Sequence, residues 1–158
     1  MSSLEGFEMR YMDIKDKQKV RIHETIGKPA GVQFEIQNTN FDEIYEFTNL
    51  DDAFEVLPKK VRIQHRSVQK MKKYHGYTIY TAGKKLLTKT WKRNTRYYIP
   101  SSEYDFHGEL STFGDKVALI SFRPTYLAII IRDATIAQVI KNLLKLAMKG
   151  AVKNPENR

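Results

Sequence analysis

His23, His65, His75 and His107 are the only imidazoles in the chain, and none has a partner at the close spacing of a metal site. Cysteine is absent, which removes thiolate ligands, a cysteine nucleophile and a disulfide framework, and fits a reducing compartment. The phosphate-cradling P-loop, the G-x-S-x-G elbow and the G-x-G-x-x-G fingerprint are absent too. Asp51-Asp52 could act as a carboxylate pair, but the first turn of a helix accounts for it better, because the helix dipole favours anions there. Asp115-Lys116 reads as a turn followed by an exposed cation, with a ligand-binding role as the alternative. Trp91 and Tyr97-Tyr98 read as aromatics that pack a sheet. Tyr77, Tyr80 and Trp91 could instead line a sugar-binding cleft, with Asp115 and Lys116 as its polar groups. No catalytic residue, metal ligand or cofactor is expected.

Charge is the most informative bulk property. The net charge is +9, yet from Val56 to Ser102 there is no Asp or Glu, while 13 of the 27 Lys and Arg fall there. The rest of the chain holds 14 cations against all 18 acids, so the whole excess sits in the middle third. A solvated face normally mixes signs, and this segregation implies an anionic partner such as nucleic acid, a phosphate-bearing ligand or an acidic protein. Arg62, Arg66, Lys70 and Lys73 gather within roughly 80° on one face of a helix, as contact along a phosphate backbone requires. Nothing in the stretch has the pattern of a base reader, so binding there should depend steeply on salt and weakly on sequence.

These side chains need elements to position them, and 158 residues with 41% hydrophobic and 28% charged content suit one globular domain. Residues 1–27 are polar and read as an arm, or as a poorly formed strand and helix. The mixed charges at the start do not resemble a signal peptide, and no apolar run approaches the ~20 residues of a membrane span. A cytoplasmic location without membrane association is expected. Val32, Phe34 and Ile36 alternate with polar residues and predict a strand, with a second at Glu43–Phe47. Thr48 or Asn49 can cap a short helix through Leu57. A further helix is predicted from Lys59 to Tyr74, with Val61, Val68 and Met71 as its buried face and Gly76 as its stop. Strands are predicted at Tyr77–Thr81, Arg96–Ile99, Glu109–Phe113, Lys116–Phe122 and Tyr126–Arg132, with a hairpin turn at Gly114-Asp115. Asp133 can cap a last helix whose Ile136, Val139, Ile140, Leu143, Leu144 and Ala147 follow helical spacing, and Gly150 ends it; residues 152–158 should fray. The fold class is therefore α/β, with α+β as the alternative: one mixed sheet with flanking helices.

The segment ELSTFGDKVALISFRPTYLAIIIRDATIAQVIKNLLKLAM, from Glu109 to Met148, resembles the end of the TrmB-type transcriptional regulators, whose phospholipase-D-like effector domain usually follows a winged helix. Upstream, EIYEFTNLDDAFEVLP, YTIYTAGKK and TRYYIP are similar to the same pattern, so the resemblance covers roughly residues 28–151. It implies a phospholipase-D-like half domain that binds a small effector (a sugar or an anion), forms a homodimer and serves transcriptional regulation. A winged helix needs about 60–80 residues, and only 27 precede the matched region, so an isolated effector-like domain, a fragment of a longer protein, or a protein that never had the DNA reader is expected.

The superfamily's active site resembles His-x-Lys-x4-Asp, in which histidine attacks and protonates, lysine holds phosphate and aspartate orients the imidazole. The best match starts at His107, which places Glu109 at the lysine position and Gly114 at the aspartate position. A carboxylate there would repel phosphate, and no partner for the imidazole is in view. The expectation is a non-catalytic regulatory module. The alternative is a stand-alone, sequence-tolerant nucleic-acid-binding protein that uses the basic helix; a cryptic phosphodiesterase is the least favoured reading.

Overall fold

Strand periodicity dominates the second half of the chain, and there the sheet is built. The computed structural model describes residues 19–24, 31–83 and 93–151. In chain order the elements are β1 (Val20–His23), α1 (Val32–Asn38), β2 (Glu43–Asn49), α2 (Leu50–Val56), α3 (Lys59–Lys72), β3 (His75–Ala82), β4 (Asn94–Pro100), β5 (Gly108–Phe113), β6 (Lys116–Ser121), β7 (Leu127–Arg132) and α4 (Ala134–Ala151). The strands form one mixed sheet in the order β1-β7-β6-β5-β2-β3-β4. β2, β3 and β4 run parallel, and all other neighbours are antiparallel. A parallel pair needs a crossover, and α2 and α3 supply it between β2 and β3.

The two faces of the sheet hold separate cores. On one, Ile44, Phe113, Ala118, Ile120, Ala128 and Ile130 pack under Val32 and Ile36 of α1, Ala53 of α2 and Val68 of α3. On the other, Tyr45, Ile79 and Ile99 pack under Leu144 and Met148 of α4. Asp133 caps α4 as expected, its Oδ1 accepting from the amides of Thr135 (2.9 Å) and Ile136 (3.0 Å). Gly114 turns the β5–β6 hairpin at φ +55°, a conformation that favours glycine.

Several expectations are corrected. Val32–Ile36 is helical: Val32 and Ile36 are buried one turn apart and Phe34 is 43% exposed, whereas a strand would put all three on one face. α3 is stopped by Lys73, left-handed at φ 59°, and Gly76 lies within β3, where a Cβ would displace the Asn94 side chain. On α3 only Val68 is buried, and Met71 is 68% exposed. α4 runs through Gly150 and buries Ala137, Leu144, Met148 and Ala151 on the stripe that meets the sheet, leaving Ile136, Val139 and Leu143 exposed. The edge strand β1 comes from the segment read as an arm or as a poorly formed strand and helix, and it pairs with β7.

Candidate functional site

Asn49 ends β2 and begins α2, and it organises the carboxyl end of the parallel strands. Its Oδ1 accepts from the Asp52 amide (3.1 Å), which caps α2, while its Nδ2 donates to the Phe106 carbonyl (2.8 Å). The chain entering β5 is thereby held against the first turn of α2. Asp52 is buried there and accepts from His107 Nδ1 (2.6 Å) and Arg123 Nε (2.8 Å). Arg123 also pairs with Glu55, and the His107 carbonyl accepts from the Phe122 amide (3.0 Å). The imidazole therefore has a fixed Nδ1–H, with its ring half exposed and Nε2 3.8 Å from Asp105. This corrects the expectation of an unpartnered ring: the orienting carboxylate comes from α2 and not from the turn after β5. Asp51 and Asp52 do not act as a pair, since Asp51 accepts from the Gly83 amide (2.6 Å).

Glu109, two residues beyond His107, lies on β5 and accepts from Thr48 Oγ1 (3.0 Å). Thr48 is on β2 beside Glu109, and Glu46, on the same face of β2, accepts from Thr78 Oγ1 of β3 (2.8 Å). Burial, then the charge of Glu46, push the Glu109 carboxyl up to about 8. Both carboxylates line a cavity of about 490 Å3 between this face and helices α1 to α3. Its walls are largely apolar, and Lys60, Arg62 and Arg66 of α3 contribute to its lining. The two glutamates were not singled out as a pair from sequence; the signal was a carboxylate inside each of two strands, Glu46 in the middle of β2 and Glu109 near the start of β5.

Of the predicted anion-binding set, Arg62 lies 5.2 Å over the Phe54 ring and is half-buried, while Arg66, Lys70 and Lys73 are exposed. All but Lys73 belong to α3, and Lys73 is its C-cap, accepting at its carbonyl from Arg93. The predicted ligand cleft does not assemble. Tyr77 pairs with Tyr45 and stacks on it at 4.8 Å on the α4 side, whereas Tyr80 is buried on the opposite face, 5.5 Å from Tyr98. Residues three apart on a strand face opposite ways. Asp115 accepts from Arg132 Nε (2.9 Å) at the far end of the β5–β6 hairpin. Lys116, only 12% exposed, binds Glu35 (2.8 Å) and Thr39 Oγ1 (2.5 Å) of the α1 region and so serves the fold. Trp91 lies outside the described residues. Among the described residues no three His, Asp or Glu stand together as a metal site.

No family model and no curated protein sequence matches the chain. Solved structures do resemble it. TrmBL2, an archaeal chromatin protein with a novel mode of DNA binding, matches with a TM-score of 0.56 at 11% identity, over 92% of this chain and 58% of its own length. NucT from Helicobacter pylori matches at 0.52 with 7% identity, over 74% of this chain and 85% of its own. Nuc from Salmonella typhimurium, a phospholipase D family member, matches at 0.50 with 9% identity, over 80% and 91%. The chain spans less than two thirds of TrmBL2. At these identities the likeness is one of architecture, and a seven-stranded mixed sheet between helices is what it rests on: the chain has a phospholipase-D-like fold.

Proposed function

We propose that the chain is a non-catalytic regulatory module, an effector and oligomerisation domain tied to transcriptional regulation in the cytoplasm. The observation that carries this reading is Glu109. A histidine that cuts phosphodiesters needs a cation beside it to hold the phosphate. Two residues on from His107 stands a carboxylate instead, close enough to a second carboxylate for the charge of Glu46 to raise its pKa. Neither side chain offers a phosphodiester the cation it needs. His107, Asp52 and Arg123 then tie α2 to the ends of β5 and β6, a structural task that needs no chemistry. A chromogenic phosphodiester tests the reading: no hydrolysis above the blank is expected, and hydrolysis that disappears in His107→Ala would overturn it.

The oligomerisation part of the reading has a candidate surface. Ile136, Val139, Leu143 and Leu146 of α4 are exposed, as are Leu119 and Ile22 on the sheet face that α4 packs against. Exposed apolar side chains grouped in this way suit a second copy of the chain. The effector, a sugar or an anion, has its candidate place in the cavity and not among Tyr77, Tyr80, Asp115 and Lys116.

A second reading, a stand-alone nucleic-acid-binding protein, is favoured by one specific observation. α3 has no acidic residue, and Arg66, Lys70 and Lys73 at its outer surface are exposed. TrmBL2, which shares the fold, binds DNA. Neither reading calls for cleavage of a phosphodiester.

A further inference from the structure

The cavity under α1 to α3 is equipped beyond what a folded core requires. One side of it is polar: Glu46 and Glu109, each bonded to a threonine hydroxyl. Much of the rest is apolar, with Ile36, Ile44, Phe54, Tyr74 and Tyr126 among the lining residues. Cations of α3, Lys60, Arg62 and Arg66, line it as well. Three lining side chains hold a buried polar atom without a hydrogen-bond partner: His23 Nε2, Gln33 Oε1 and Arg62 Nε. The volume, about 490 Å3, falls in the range of small-molecule sites.

The lining selects among occupants. A free phosphate meets two carboxylates. A simple amine meets the lysine and arginines. A polyol carries hydroxyls on every side, and those against Ile36 and Ile44 would be left unpaired. What satisfies all three regions is a flat ring with apolar faces, N–H donors along one edge and an anionic group at the other end. We propose that the cavity binds a nucleoside phosphate, with the base edge donating to Glu46 and Glu109 and the phosphate directed to Arg62 and Arg66. This rests on the regulatory reading, for which it supplies the effector site.

The arrangement makes a choice among bases. Guanine, adenine and cytosine each carry an exocyclic amino group that a carboxylate accepts from. Uracil offers one ring N–H between two carbonyls, which would face Glu46.

Calorimetric titration of the full chain with GMP, AMP, CMP, UMP, guanosine and inorganic phosphate tests this. GMP, AMP and CMP should bind at least tenfold more tightly than UMP, guanosine should bind more weakly than GMP, and phosphate alone should give no signal. Glu46→Gln should weaken GMP at least tenfold and flatten the ranking of bases. Arg66→Glu, at an exposed position, should bring GMP down to the affinity of guanosine, and it keeps the test open if Glu46→Gln fails to fold. No binding by any nucleotide, UMP binding as well as GMP, or unchanged GMP affinity in folded Glu46→Gln overturns the proposal. A short single-stranded oligonucleotide distinguishes the source: binding with the same Glu46 dependence assigns the site to a base in a strand, and binding of mononucleotides alone assigns it to free nucleotide. Failure here, without any phosphodiester hydrolysis, removes the nucleotide and leaves the non-catalytic reading standing.

Discussion

Burying a carboxyl beside another carboxylate has a consequence for stability that the Glu109 site makes measurable. Its folded pKa, about 8, lies above the 4.5 of a free glutamate, so the native state holds a proton that the unfolded chain releases. The stabilisation linked to that proton is complete below about pH 4.5 and is lost as pH rises through 8. Urea denaturation should therefore give a stability lower by roughly 1–3 kcal/mol at pH 8.5 than at pH 5.5, and Glu109→Gln should flatten that slope. A slope unchanged in the variant would assign the pH dependence to other groups. Lys116 makes a second prediction. It holds the buried Glu35 together with Arg21, and Lys116→Ala leaves that carboxylate with one partner. A loss of about 3 kcal/mol is expected in the same assay. From sequence Lys116 read as an exposed cation after a turn, because its partners lie on α1, far up the chain. The same distance hid the bond from Asp52 to His107, which folding brings together across 55 positions. Residue types were legible; their long-range partners were not.

Elements were legible where their periodicity was unambiguous. β3 to β7 were read within a residue or two, because alternation, β-branched content and Gly114-Asp115 all agree. α1 was misread, because Val32 and Ile36 are four apart and satisfy both a strand face and a helix turn, and seven residues are too few to separate the two. On α4 the apolar stripe is wider than the part the sheet covers, so burial could not be deduced from spacing alone. α3 matched its predicted span closely, and its charge makes a prediction at this scale. Arg66→Glu, Lys70→Glu and Lys73→Glu combined, which spare Arg62 over Phe54, should lower affinity for duplex DNA at least tenfold at low salt with an unchanged circular dichroism spectrum. Unchanged affinity would remove α3 as the contact.

At the scale of the molecule, the exposed side of α4 predicts self-association. Light scattering should report a dimer, and Leu143→Glu with Leu146→Glu should convert it to a monomer that keeps its fold. A wild-type monomer at assay concentrations would remove oligomerisation from the account. The order of motifs along the chain made the phospholipase-D-like architecture legible before any coordinates, and the solved structures bear that out at the level of fold. The cavity was not legible, since α1, α2, α3 and the sheet each contribute a wall and no local stretch of sequence encodes its shape. The measurement that bears most directly on binding without cleavage is a time course of fluorescence anisotropy with end-labelled DNA, at low and at physiological salt. The account predicts that the labelled strand keeps its full length for hours, and the basic-helix reading adds a rise on mixing that falls steeply with added salt. A rise that decays as the labelled strand shortens, and no longer decays in His107→Ala, would contradict it.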